Sequence, residues 1–372
     1  MGKGRQVWIS ALETSADLHG SFLIRRLREM EPSLGLVGIG GRNMRSLSFR
    51  ALLKAEDFSV MGLWEVVAYL PRIVGAYRRI ARIFQREEMG AVVLIDAPDF
   101  HFKVASMAYK RGIPVIYYIS PQVWAWRKGR IRFLKRYVSK LCCIFPFEKD
   151  FFARWGVEAE YVGHPLMEYL DFSSLDKMGR DKDSLVILPG SRVKEISSLL
   201  PEFSKTCDVI NAHFPLRHIR LVVAPNIDPA LIRSHWASSL PYEVVNFEKR
   251  YEAMAQSEFA LVASGTASLE CGLLKTPAVV AYRISLASYI MARIFVHINH
   301  ISMTNIILGE GIFPEFIQRD VKAEKMSRPI VTWRNSPPSL REIKKRLSLL
   351  RESFGKKRAS LETAKIVLQT LG

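Results

Sequence analysis

Cysteine is scarce in this chain: four thiols, Cys142, Cys143, Cys207 and Cys271, among 372 residues. They sit in apolar runs such as LCCIF, at no spacing that suits a zinc site, and adjacent Cys142 and Cys143 would face opposite sides of a strand. A disulfide framework and a structural metal are therefore not expected, and the thiols read as reduced and buried, as in a cytosolic protein. Long apolar runs are missing too. None reaches the roughly 18 residues of a bilayer-spanning helix, and the most hydrophobic helical stretch, LASYIMARIFVHI, is broken by Arg293. The opening MGKGRQVWISA passes from a short basic start straight into a strand-like run, with no secretory leader pattern. Acidic residues are outnumbered, 36 against 54 basic ones, for a net charge of +18. That excess favours polyanionic partners: phosphorylated substrates, an anionic membrane surface or nucleic acid. RNP, KH, zinc-finger and homeodomain patterns are all lacking, so no nucleic-acid partner is expected.

What is present is a globular composition, 49% hydrophobic and 24% charged, in a length that fits two domains. QVWISA, LGLVGIG, AVVLIDA, PVIYYIS, KLCCIF and AEYVG read as strands in the first half, and SLVILPG, IRLVVAP, YEVVNF, FALVAS and PAVVAY in the second. Their near-continuous apolar character and the helical patterns between them predict an α/β protein with two doubly wound parallel sheets. The boundaries read as an N-terminal α/β domain over 1–166, a polar linker without strand pattern over 167–184 and a second α/β domain over 185–340. Helices over 341–372 follow, read as packing back on the first domain.

Several polar constellations fall where strands end. Asp96-Ala97-Pro98-Asp99 follows the strand AVVLI, where open α/β sheets bind ligands, and Pro98 predicts an extended, exposed shoulder at Asp96. A partly desolvated carboxylate there suits accepting a proton from a hydroxyl, and capping the next helix is the bland alternative. Gly190, Ser191 and Arg192 join a strand to a helix whose first amides and guanidinium could meet an anion. Ser264, Gly265 and Thr266 repeat the arrangement as a diphosphate cradle. Glu270, one turn along the same face, is placed to accept hydrogen bonds from ribose hydroxyls. Asn305 lies in the loop ISMTN, ahead of Gly309, Gly311, Glu315 and Gln318. The aromatic run over 117–127, with Gln122, Trp124 and Trp126, reads equally as a sugar or acyl wall and as core.

In order along residues 7–318, the blocks ETSADLHG, GIGG, SVMGLWEV, LIDAPDF, YYISPQVWAWRKGRI, FPFE, YVGHPL, LPGSR, ASGTASLE, AYR and SMTN resemble the lipid A disaccharide synthases. The resemblance implies a GT-B glycosyltransferase with two domains facing across a cleft. It also implies transfer of diacylglucosamine from UDP-diacylglucosamine to the 6-hydroxyl of diacylglucosamine 1-phosphate, with inversion and with neither cofactor nor metal. Residue by residue, it implies Asp96 as base, Arg192 as a phosphate or donor contact, and Asn305 as a cleft residue of the catalytic set. Gly190, Ser191, Ser264, Gly265, Thr266 and Glu270 fall on the UDP side, and Glu13, Ser15, Asp17 and Gln122 complete the substrate-binding set. The family usually reads Gly-Glu-Thr-Ser-Gly-Asp near the N-terminus. Here Leu12 and Ala16 replace both glycines, so either this loop uses conformations open to a Cβ or its backbone approaches ligand less closely.

Two other readings compete, the remoter being a basic nucleic-acid-binding protein. Another UDP-hexosamine enzyme, an N-acetylglucosaminyltransferase or a 2-epimerase, would share the fold, and of the eight histidines only His164 in GHP stands in a strong motif. On the partner side, the apolar segment 61–70 reads as a contact with the inner face of the inner membrane. Pro71 is expected to open a helix whose stripe of Ile73, Val74, Tyr77, Ile80, Ala81 and Phe84 is core, while Arg72, Arg78, Arg79, Arg82 and Arg86 face anionic headgroups. Segment 286–295 is the alternative membrane contact, and a homodimer is compatible with the same reading.

Overall fold

The computed structural model describes residues 6–58, 63–125, 129–285, 289 and 299–372, with the backbone alone at 63–70. The side chains of the apolar segment 61–70, Trp126, Arg127 and nearly all of 286–295 thus lie outside the described residues. Two compact units divide the chain: Met1–Glu168 together with Lys356–Gly372, and Tyr169–Gly355.

In the first unit seven strands, β1 (Gln6–Ala11), β2 (Gly35–Gly40), β3 (Arg50–Lys54), β4 (Met89–Ile95), β5 (Val115–Tyr118), β6 (Lys140–Cys143) and β7 (Ala159–Tyr161), form one sheet. Its order is β3-β2-β1-β4-β5-β6-β7, every pair parallel. Parallel pairing needs a crossover after each strand. Helices α1 (Thr14–Met30), α2 (Arg42–Arg45), α3 (Leu63–Arg86), α4 (Pro98–Tyr109), α5 (Arg130–Tyr137) and α6 (Pro146–Arg154) supply most of these, and α7 (Leu166–Tyr169) ends the run. The central strands are buried on both faces, which is why they read as continuous apolar runs. Trp8 anchors one core layer, fully buried with its ring edge-on to Phe84 at 5.2 Å between centroids. Ile80 and Phe84 thus turn inward, whereas Val74 of the expected stripe is exposed, as are Arg72, Arg78, Arg79, Arg82 and Arg86. Pro71 does not open this helix as the sequence suggested. It lies inside α3, where an interior proline costs one main-chain hydrogen bond and the helix continues on the rest.

The second unit repeats the plan with β8 (Asp181–Leu188), β9 (His218–Val223), β10 (Glu243–Asn246), β11 (Ser257–Ala263), β12 (Ala278–Tyr282) and β13 (Glu315–Ile317). They are ordered β10-β9-β8-β11-β12-β13 and again all parallel. Its helices are α8 (Phe172–Leu175), α9 (Val193–His213), α10 (Pro229–His235), α11 (Arg250–Gln256), α12 (Thr266–Leu273), α13 (Met303–Leu308), α14 (Ala323–Asn335) and α15 (Pro337–Ser353). The last helix, α16 (Ala359–Leu371), belongs to the first unit, against α1 and β4, with Leu371 over Gly90.

Strand β8 begins inside the polar stretch 167–184, where no strand pattern is visible. Its charges enter the sheet paired: Asp181 with Arg220, and buried Asp183 with Arg334 at 2.7 Å. Edge strands β3 and β13 also escape the sequence pattern. Both are short and only half-buried, so neither carries the apolar run of a central strand.

Candidate functional site

Open parallel sheets leave a crevice beyond the carboxyl ends of the two strands where the order reverses. In the first unit those strands are β1 and β4, which run into Leu12-Glu13 and Asp96-Ala97. In the second they are β8 and β11, which run into Gly190, Ser191 and Arg192 and into Ser264, Gly265 and Thr266. Topology thus pairs, within each unit, motifs that lie about 80 residues apart in sequence.

Asp96 does not sit on an extended shoulder. Asp96 and Ala97 are both left-handed, with φ of 52° and 45°. Such residues cost about 1–3 kcal/mol each, and Pro98 restricts Ala97 further. The Asp96 carbonyl shows what holds them: the Tyr117 hydroxyl donates to it, and His101 Nδ1 lies beside it, both at 2.7 Å. His101 is fully buried, and burial pushes its imidazole down to about 4, so the ring is neutral. Because a carbonyl only accepts, Nδ1 carries the hydrogen and Nε2 accepts from Ser10 Oγ, 2.8 Å away. The Asp96 carboxyl is itself raised to about 6, first by burial and then by the negative charge of Glu13, while the Ala97 amide works the other way. Asp99 is exposed and ion-paired with Arg130.

Asp17, expected among the substrate contacts, belongs to the framework. Its buried carboxylate accepts from the amides of Gly41, Asn43 and Met44 at 2.6, 2.8 and 3.2 Å and so caps α2. Glu13 and Ser15 remain exposed. Leu12 and Ala16 are buried, and neither is left-handed, so the absence of the family glycines creates no strain. Gln122 is exposed on a loop that Glu148 ties down. The Glu148 carboxylate accepts from Ser120 Oγ, Trp124 Nε1 and the amides of Ile144 and Phe145, between 2.9 and 3.1 Å. Burial pushes Glu148 up to about 7 against the pull of these four donors. His164 is a buried loop histidine, pushed down to about 3 by burial and then by neighbouring His19. All four cysteines are free and buried.

In the second unit Gly190 has φ of 110°, and a Cβ there would meet Glu195 Oε2 at 2.5 Å. Glu195 closes this turn, accepting from the Ser191 amide at 3.2 Å and from exposed Arg192 at 3.1 Å. Gly265 and Thr266 are exposed at the start of α12, while Ser264 Oγ donates to the Ile301 carbonyl at 3.1 Å. Glu270 is buried and accepts from Tyr251 Oη at 3.1 Å and Arg250 Nε at 3.4 Å. The Arg250 guanidinium lies 4.1 Å from the Phe247 ring centre and 4.0 Å from that of Tyr251. Sequence reasoning passed over this trio because 247–251 carries no family block. Asn305 departs from the expected cleft role. It is 1% exposed, its amide donates to the Phe313 carbonyl and Glu315, and its oxygen accepts from the Phe313 amide. Glu315 in turn accepts from the Ile301 and Ser302 amides, so the pair shapes the ISMTN loop from within.

Two tandem parallel sheets with polar loops at both reversals define a GT-B protein. The glycotransferase of kitacinnamycin shares the fold with a TM-score of 0.66 at 14% identity, covering 100% of both chains. MurG of Acinetobacter baumannii does so at 0.62 and 12%, covering 99% of this chain and 100% of that one. Identities this low speak for the fold alone. The family model for lipid-A-disaccharide synthetase matches residues 7–367. Lipid-A-disaccharide synthase of Anaeromyxobacter dehalogenans (strain 2CP-C) is 37% identical over 370 residues, covering 98% of this chain and 97% of its own. That of Geobacter metallireducens (strain ATCC 53774 / DSM 7210 / GS-15) is 34% identical over 375 residues, covering 99% and 98%. The chain belongs to the lipid-A-disaccharide synthetase family.

A carboxyl that titrates at about 6 when folded, against an ordinary 3.8, opposes folding above the higher value and not below the lower one. Asp96→Asn, which also tolerates a left-handed backbone, should therefore raise stability by about 1–3 kcal/mol near pH 8 and hardly at all near pH 4. Denaturant midpoints at the two pH values read the difference. An equal shift at both would show that the carboxylate is not desolvated.

Proposed function

We propose that the chain joins 2,3-diacylglucosamine, carried by UDP, to the 6-hydroxyl of 2,3-diacylglucosamine 1-phosphate, giving the β-1,6 disaccharide precursor of lipid A and UDP. Family membership across residues 7–367 carries this reading. Mass spectrometry of products from the two acylated sugars tests it: the disaccharide and UDP are expected, and an epimerised nucleotide sugar would overturn it.

In this proposal the Asp96 carboxylate accepts the proton of the acceptor 6-hydroxyl. The freed oxygen attacks the anomeric carbon from the face opposite UDP, the bond to the diphosphate breaks, and the configuration inverts. Support comes from the position of Asp96 at the β1/β4 reversal and from the basicity that burial gives it. Only the ionised form can take the proton, so wild-type kcat should fall as pH drops through about 6. Asp96→Asn should lower kcat by about 10²–10⁴ with UDP affinity retained. Near-normal turnover would move the role to Glu13 or Asp99.

Donor binding is assigned to the second unit. The exposed helix start at Gly265 and Thr266, the turn at Gly190 and Ser191 and the exposed Arg192 suit a diphosphate, whose leaving charge they would neutralise. Glu270, with Arg250 and Tyr251, suits the ribose. Arg192→Ala and Glu270→Ala should each weaken UDP roughly tenfold by calorimetry. Unchanged affinity in both would place the nucleotide elsewhere. On the acceptor side, Glu13, Ser15 and Gln122 remain accessible contacts, whereas Asn305 and Asp17 act through the loops they hold.

Peripheral attachment to the inner face of the inner membrane is part of the proposal. Among the described residues no helix is long and apolar enough to cross a membrane. The net charge of +18 and the five exposed arginines of α3 suit anionic headgroups, each basic residue near the surface adding about 1 kcal/mol. Flotation with anionic vesicles should weaken as salt rises, and replacing Leu63, Trp64 and Val67 by serine should release the protein. Unchanged flotation of that variant would shift the contact to charge alone or to 286–295.

A further inference from the structure

We propose that His101, backed by Ser10 and paired with Tyr117, is a positioning residue for the transfer: it holds the main-chain carbonyl of Asp96 and so aims the Asp96 carboxylate. The inference rests on Asp96 being the base, and it concerns residues that no family block explains beyond their place in the chain.

Two consecutive left-handed non-glycine residues, the second ahead of a proline, persist only where their surroundings over-determine them. Rotation about the N–Cα bond of Asp96, out of the left-handed region, would swing its carbonyl and its side chain together. Two donors oppose that rotation. The Tyr117 hydroxyl, on a ring 0% exposed, and the His101 Nδ1 hydrogen both end on this one carbonyl at 2.7 Å. A histidine that merely filled core space would need any one partner. Here both ring nitrogens are engaged, and Ser10 Oγ at Nε2 selects the tautomer that donates toward Asp96.

The chain Ser10–His101–Asp96–Tyr117 crosses three elements: β1, α4 and β5. It therefore ties β1 and β5, the two strands that flank β4 in the sheet, to the loop that leaves β4.

Neutrality is the second part of the device. A cationic imidazole beside Asp96 would hold the carboxyl low and make it a poor base. Complete burial keeps the ring uncharged, down to a titration at about 4. The other charged or titratable groups that act on Asp96 or on its Tyr117 partner are Glu13 at the start of α1, Asp99 of α4, Tyr117 itself on β5 and Arg130 of α5. Burial, followed by the charge of Asp96, also raises the Tyr117 hydroxyl well above its ordinary range, so it remains a donor throughout the working range.

The test compares His101→Phe, His101→Asn, Tyr117→Phe and Asp96→Asn in the full chain, measuring kcat, donor KM, the pH midpoint of the acid limb and the melting temperature. His101→Phe keeps a ring but no donor. It should lower kcat roughly 10–100-fold, as expected when a reacting group is misplaced by about 1 Å. Donor KM should stay within about threefold, and the acid limb should move down in pH as the released carboxylate gains solvent. His101→Asn, whose amide nitrogen falls where Nδ1 was, should recover most of the loss, and Tyr117→Phe should show a smaller version of it. A change in melting temperature with kcat and the acid limb untouched in both His101→Phe and Tyr117→Phe, while Asp96→Asn collapses turnover, would overturn the positioning role and leave the base in place. Full turnover in Asp96→Asn would remove the base assignment and this proposal with it. Should His101→Phe fail to fold, Tyr117→Phe, which loses only a hydroxyl, decides the same question through the same acid limb.

Discussion

Parallel strands cannot be joined by a tight turn, so every strand must be followed by a crossover that returns the chain to the same end of the sheet. All eleven strand pairings obey this constraint. All the strand-to-helix loops of a unit consequently gather at one edge, and the only gap between neighbouring crossovers opens where the strand order reverses. In the first unit that gap lies between β1 and β4, in the second between β8 and β11. This geometry collects the polar loops of the sequence in pairs. Scattered along an antiparallel meander, the same residues would be unrelated surface loops.

Within the loops the polar residues divide by burial. Asp17, Glu148, Glu315 and Asn305 are held by backbone amides and buried side chains, and their work is to fix loop shape. The three carboxylates are surrounded by donors and Asn305 both donates and accepts, so replacing any one would strand several buried groups at once. Glu13, Ser15, Gln122, Arg192 and Thr266 are exposed and remain accessible to ligand. Asp96 is the intermediate case. Its main chain is locked by buried donors while its side chain lies at the boundary, desolvated enough to titrate at about 6. A rigid main chain carrying a partly desolvated carboxylate is what a general base requires: fixed direction and raised basicity.

Fold and family answer different questions. Transferases and epimerases share two tandem parallel sheets at identities near one residue in ten, so the architecture leaves the reaction open. The family match runs through residues 7–367 and includes the loops at both reversals. The substitution of Leu12 and Ala16 for the family glycines illustrates the distinction. Both side chains are absorbed into the first unit's interior on an ordinary backbone, leaving Glu13 and Ser15 exposed beside the reversal.

The sequence by itself determined the α/β class, the central strands, the buried cysteines and the family, because continuous apolar runs and dense motif blocks are local signals. It could not show β3 or β13, whose short, half-exposed segments carry no such run, nor that β8 starts inside a polar stretch whose charges are paired with distant arginines. Only the tertiary structure decided where each polar residue lies and what it bonds. Asp17 and Asn305 look like site residues in a motif and turn out to be buried supports, since their partners come from loops tens of residues away or from across a turn. His101 was silent in the sequence for the same reason. Its meaning lies in Ser10 and Tyr117, residues 91 positions before it and 16 after it, which become its neighbours only when β1, α4 and β5 come together.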